Sequence, residues 1–334
     1  MDTIYLVIPR WFYPHNLGDS VHWTFAPTVL KKEYPNSKLV VFTHGELIEV
    51  LKDNPLVDEV HPPTLDLVAD YDFWKTEALT GRKRLPPNMF TLFAEHHPKV
   101  WSYWSENFDF LYKHPTANLV SVNSLLQLGM EKYLYDGTDL FPKIYIDKAP
   151  REDKTLAIVP AEKVSFANPG PHLGCDGKGF RFNGDKGESW RSFVGEIKRL
   201  DPTIKIVEYS KDFLGFGDEH VGHLPWKQLA YEASKVRVGV LSDGGMHHLF
   251  HSQETPVVLL SAQTINKFYH YSTKSSTDYP ELYSECLEKC GSTIRRLASW
   301  DTLNETCDHS CEKVDPLLLA QKVYKDFFDE NDIL

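Results

Sequence analysis

Two Val-rich apolar runs in the C-terminal third, Val236 to Leu241 and Val257 to Leu260, constrain the fold more than any other stretch. Runs of this kind, bounded by turn residues, suit strands buried on both faces, the condition inside a parallel sheet. Between them lies Ser242-Asp243-Gly244-Gly245-Met246-His247-His248-Leu249-Phe250, which reads as a tight turn opening a helix. In open α/β sheets, ligands bind where a strand's carboxyl end meets a helix's amino end, and the free N–H groups there favour anions. The segment is therefore either a phosphate-binding turn or an ordinary βα turn with an Asp cap and two permissive glycines.

The same alternation recurs along the chain. Ile4 to Ile8 predicts a strand, and after the loop ending at Gly18 a helix is expected to start with Asp19 near its cap. Lys38 to Thr43, Glu46 to Lys52 and Val57 to Val60 then read as strand, helix and strand, which is a βαβ progression and predicts a parallel sheet. From Thr64 to Asn107 the chain is irregular and aromatic, with Trp74, Phe90, Phe93, Trp101, Tyr103, Trp104 and, just beyond, Phe108. Such rings either line a groove or, more commonly, form the core under a long insertion. The extended segment Phe141 to Ile146 leads into the charged run Asp147 to Lys154, a candidate interdomain linker. The second half again alternates: a strand at Thr155 to Val159, a Gly- and Pro-rich loop from Ala167 to Gly187, a helix at Ser189 to Leu200, a strand at Ile204 to Glu208 and a helix at Trp226 to Ser234. A last helix is expected over Leu317 to Phe328.

With 334 residues, two domains are expected, divided as 1–150 and 151–334. The net charge of −11 argues against nucleic acid or anionic lipid as the main partner. No run reaches the ~20 apolar residues of a membrane span. Asp2 stands where a signal peptide would carry a basic residue, so a cytoplasmic protein is expected. Of the five cysteines, Cys286-x3-Cys290 and Cys307-x3-Cys311 are each spaced to lie on one helix face. Two disulfides, a metal site with His309 nearby, and four reduced cysteines packing a helical tail all remain open.

Asp19, at a helix start after the first strand, is a candidate general base, or simply a cap. Lys186, at the entrance of the Ser189 helix, is a candidate partner for a diphosphate, as are Lys178 and Arg181 in the same loop. Gly18-Asp19-Ser20-Val21-His22 and Asn54-Pro55-Leu56-Val57-Asp58-Glu59-Val60 resemble the N-terminal half of the heptosyltransferase-like glycosyltransferases of family 9. Lys186-Gly187-Glu188-Ser189-Trp190 resembles that family's "K-x-x-W" helix entrance, and Ser242 to Leu249 resembles its "D-T-G-x-x-H-l" motif.

The resemblance implies a GT-B fold, with two Rossmann-like parallel-sheet domains facing a cleft, the first on the acceptor side and the second binding a nucleotide sugar. It implies an inverting transfer from a nucleotide-diphosphate donor to the hydroxyl of a carbohydrate or glycolipid acceptor. Asp19 would be the base, and Gly18, Lys186, Ser242, Asp243, Gly244, Gly245, Met246 and His248 would form the donor site. No cofactor and no metal ligand are expected, because a helix N-terminus and a lysine can meet the leaving diphosphate's charge. The sequence departs from the pattern at Gly244, where the family carries Thr, and at His247, where small residues are usual. A sugar-nucleotide epimerase on the same architecture and a non-catalytic nucleotide-sugar-binding protein are the alternative readings.

Overall fold

The structure is a computed structural model that describes residues 3–8, 17–63, 71–80, 84–93, 97–160, 187–210, 212–242, 245–260, 276–277, 279 and 314–329. Elements are numbered in chain order among these residues.

The first half contains β1 (Thr3–Val7), α1 (Leu17–His22), a 3-10 turn at Trp23–Phe25, α2 (Ala26–Glu33), β2 (Lys38–Phe42), α3 (Glu46–Lys52) and β3 (Glu59–His61). It continues with α4 (Tyr71–Thr80), β4 (Met89–Thr91), α5 (Val100–Glu106), α6 (Phe108–Lys113) and α7 (Leu119–Leu128). Its sheet has the order β3-β2-β1-β4, and every pairing is parallel.

The second half contains β5 (Glu152–Val159), α8 (Glu188–Leu200), β6 (Lys205–Tyr209), β7 (Glu219–Val221), α9 (Trp226–Lys235), β8 (Val236–Ser242), α10 (Gly245–Ser252), β9 (Val257–Leu260), β10 (Ser276–Thr277) and α11 (Pro316–Phe327). Its sheet has the order β10-β9-β8-β5-β6-β7 and is also parallel throughout. Two parallel sheets flanked by helices match the α/β class expected from the buried Val-rich runs.

Alternation along β5 shows why those runs must be apolar on both faces. Ala157 and Val159 join one core cluster, which continues through Ile4, Leu6, Leu39 and Val41 of the first half. Leu156 and Ile158 join a second cluster with Trp190, Phe193 and Ile197 of α8 and Leu319 and Val323 of α11. The aromatic insertion is core in large part, since Phe90, Phe93 and Trp104 are buried. Trp101 and Tyr103 pack against the same core from partly buried positions, while the side chains of Trp74 and Phe108 lie outside the described residues.

Helix ends follow local chemistry. Asn118 and Ser121 close a capping box on α7, and Gly129 ends it with φ 68°. Asp315 caps α11 ahead of Pro316. The Asn54 to Asp58 stretch is a structural turn leading into β3: Asn54 Oδ1 accepts from Leu56 N–H, and the Asp58 carboxylate accepts from Leu39 N–H at 2.7 Å.

Three expectations change. Asp19 lies inside α1 (Leu17–His22) rather than at its cap. β5 begins at Glu152, so part of the charged run is strand; at a sheet margin those side chains stay exposed while the backbone pairs. Phe141 to Ile146, expected to be extended, forms no strand and lies outside both sheets. Among the described residues, no helix is long and apolar enough to cross a membrane.

Candidate functional site

The two helices that carry the sequence-derived residues meet. α1 follows β1 and α10 follows β8, and the two helices pack against each other across the halves. At the contact the His22 and His248 rings lie 5.3 Å apart at 70°. The His248 ring is 4.5 Å from His247, which in turn is 4.8 Å from His251. All four rings are buried. Burial, with the nearby His248 and His247 rings, pushes the His22 pKa well below its usual value, and burial alone takes His247 down to about 3. Both are therefore neutral at physiological pH. His22 packs against Phe25 and His248.

Close approach of α10 to its sheet depends on Gly239 in β8. A Cβ there would sit 2.8 Å from Phe250 Cε1. That ring also meets Tyr209 edge-on at 5.3 Å. The sequence reading did not single out Gly239, although a glycine inside a Val-rich strand signals close approach of a neighbour.

Of the other sequence-derived residues, Gly18 and Asp19 are placed in α1, with their side-chain environment outside the described residues. Ser242 ends β8, and Gly245 and Met246 open α10, Met246 partly buried against the core. Lys178, Arg181, Lys186, Asp243, Gly244 and the cysteines at 175, 286, 290, 307 and 311 lie outside the described residues, as does His309. Among the described residues, no group of three or more His, Cys, Asp or Glu side chains is placed to hold a metal ion.

Contacts that local patterns did not reveal tie the halves together. The Glu46 carboxylate at the start of α3 accepts from the first N–H of α9, that of Trp226, satisfying a donor that a helix N-terminus leaves open. Lys227 pairs with Asp53 beside it. The segment before β5 is pinned to the end of α10: Gln253 Nε2 donates to Ile144 O at 3.0 Å, and Arg151 Nη2 donates to Glu254 O at 3.2 Å. A recess of about 450 Å³ opens along this seam, lined in part by Asp53, Ile146, Lys227 and Tyr231. None of the sequence-derived site residues is among its lining residues.

No family model matches the sequence, and no curated protein matches it. Solved structures do. A glycosyl transferase of family 9 from Veillonella parvula aligns over 98% of this chain and 98% of its own, at 14% identity and TM-score 0.58. The dodecameric iron-containing heptosyltransferase TibC, in complex with ADP-D-beta-D-heptose, aligns over 98% of this chain and 76% of its own, at 11% identity and TM-score 0.56. ADP-heptose LPS heptosyltransferase II from E. coli aligns over 83% of this chain and 90% of its own, at 13% identity and TM-score 0.50. At these identities the shared property is the fold: this chain has the two-sheet α/β architecture of those glycosyltransferases.

Proposed function

We propose that this protein is an inverting glycosyltransferase that moves a sugar from a nucleotide-diphosphate donor to a hydroxyl of a carbohydrate or glycolipid acceptor. The observation that carries the reading is the packing of α1 on α10, which joins the helix holding Gly18 and Asp19 to the one entered through Ser242 and Gly245. The fold shared with family 9 glycosyltransferases supports it. In this reading residues 1–150 form the acceptor half and residues 151–334 the donor half, working in the cytoplasm.

Asp19 takes the proton of the acceptor hydroxyl as its oxygen attacks the anomeric carbon from the face opposite the diphosphate. The anomeric C–O bond breaks, and the diphosphate leaves carrying both electrons of that bond. Lys186 and the N-terminus of α10, reached through Asp243, Gly244 and Gly245, stabilise that charge without a metal. Met246 and His248 hold the first turn of α10 in place: Met246 packs on the core, and the His248 ring lies against His22. Gly244 leaves the donor site without the hydroxyl that Thr supplies in the family's motif.

Calorimetry with ADP, GDP, UDP and CDP, followed by transfer assays with the matching sugars, tests the reading; ADP-heptose is the first donor to try, as the ligand of TibC. Binding of at least one nucleoside diphosphate is expected. Asp19→Asn should keep that affinity and lower turnover by about 10²–10⁴-fold, the usual worth of a general base. No binding by any of the four, or full turnover in Asp19→Asn, would overturn it.

A further inference from the structure

Glu208 is the one acidic residue in β6, and it is fully buried. An ionised carboxylate in such a place is strongly penalised unless donors surround it. Here the chain that follows folds back to supply them. Ser210 Oγ donates to Oε1 at 2.6 Å, and Leu214 N–H donates to the same oxygen at 2.6 Å. Phe216 and Gly217 donate their N–H groups to Oε2 at 2.9 and 3.3 Å. Burial pushes the carboxyl pKa up, but these hydrogen bonds outweigh it and hold the group below its ordinary value. His220 of β7 braces the loop from outside, its Nε2 lying 2.9 Å from Ser210 O.

The loop's shape has a consequence beyond itself. A Cβ at Gly217 would stand 2.9 Å from the backbone N of Glu208, so only glycine lets the chain cross over the carboxylate. That crossing sets the direction of Phe216, whose ring fills the space next to Gly187, the N-cap of α8. A Cβ at Gly187 would lie 2.3 Å from Phe216 Cζ, and its φ of +82° independently requires glycine. The Arg191 guanidinium sits 5.4 Å from the same ring. The loop therefore touches the start of α8 at the carboxyl edge of the second sheet, the edge where open parallel sheets bind ligands. A buried charge is a poor source of stability but a good way to select one loop conformation, because alternatives leave it unsatisfied.

We infer that Glu208 is a positioning residue for donor binding: it holds Ser210 and residues 212–217 in one shape, and Phe216 transmits that shape to Gly187 and the first turn of α8. The inference rests on the reading that the second half binds the nucleotide donor.

Two variants of the full chain test it. Glu208→Gln keeps the side chain's size but replaces one acceptor oxygen with a donor amide; Phe216→Ala removes the transmitting ring and leaves Glu208 with its backbone donors. Amide hydrogen exchange without nucleotide reads the mechanical claim. Both variants should speed exchange over residues 187–193 at least tenfold, with β8 unchanged. Faster exchange confined to 210–217 would overturn it. Calorimetry with ADP, GDP, UDP and CDP reads the functional claim, with affinity for the nucleotide that the wild type binds expected to fall at least tenfold in both variants. Unchanged affinity alongside altered exchange would overturn the link to the donor. A wild type that binds none of the four defeats the donor reading itself, a result separable from the exchange data. Should Glu208→Gln fail to fold, Phe216→Ala carries both measurements.

Discussion

The loop after β4 and the loop after β6 both leave the carboxyl edge of a parallel sheet, yet they are held by different chemistry. Phe93, after β4, is gripped by a neutral amide from a distant helix: its N–H donates to Gln127 Oε1 at 2.7 Å, and Gln127 Nε2 donates to its carbonyl at 3.0 Å. Asn123, one turn earlier on α7, accepts from His97 N–H at 2.7 Å. After β6 the brace is Glu208, a carboxylate that gathers only N–H and O–H donors from its own neighbourhood. An amide offers both a donor and an acceptor and can mate with a peptide as a strand would; a carboxylate can only accept. The first loop is thus positioned by tertiary packing of α7, the second by the chain next to it.

The largest expected effect breaks the first brace. Gln127→Leu removes both hydrogen bonds to the Phe93 peptide groups, and the unfolding free energy in urea should fall by about 3 kcal/mol. A loss under about 1 kcal/mol would show that the amide does not hold the loop.

Acid separates the two braces next. His22 and His247 have folded pKa values below the 6.5 of the unfolded chain, so the unfolded state binds more protons as pH falls beneath 6.5. Their contribution is complete above about pH 6.5 and is lost as pH drops from there, toward about 3 for His247, with a slope approaching ~1.4 kcal/mol per pH unit for each histidine. Denaturation between pH 7 and 5 should show this slope, and a flat profile would contradict burial of neutral rings. Glu208, with its depressed carboxyl pKa, loses its contribution only as pH falls below about 4.5, whereas Gln127 has nothing to titrate. Loss of protection below pH 4.5 should therefore favour the β6 loop over the β4 loop in hydrogen exchange.

Gly239→Ala tests whether close packing, rather than either brace, sets the edge that α10 occupies. Its Cβ would press on Phe250, and overpacking of this kind costs about 1–3 kcal/mol in thermal or urea unfolding. The smallest effect belongs to the seam. Lys227→Ala removes a part-exposed pair with Asp53 and should change stability by less than about 1 kcal/mol, leaving both loops' exchange rates unchanged.

Much of the fold was legible in the sequence. Val236 to Leu241 and Val257 to Leu260 declared strands buried on both faces, and both lie inside the second sheet. The βαβ progression from Ile4 to Val60 declared a parallel sheet, with element ends displaced by a residue or two. The brace on the β6 loop was not drawn from the sequence, although a lone Glu at the end of an apolar strand asks for local donors. The brace on the β4 loop was not, since Phe93 and Gln127 stand 34 residues apart. Nor was the Glu46 bond to Trp226, across 180 residues.

The sequence by itself determined the classes of local structure and offered candidate site residues, from Gly18 and Asp19 to Ser242, Gly245 and His248. Periodicity and turn composition report the surroundings each segment needs, and those needs are local. Only the tertiary structure decided that α1 lies on α10, that four buried histidines come together, and that Phe216 rests on Gly187. Those choices depend on shape matching between surfaces far apart in the chain, and many sequences with the same periodicity would pair them otherwise.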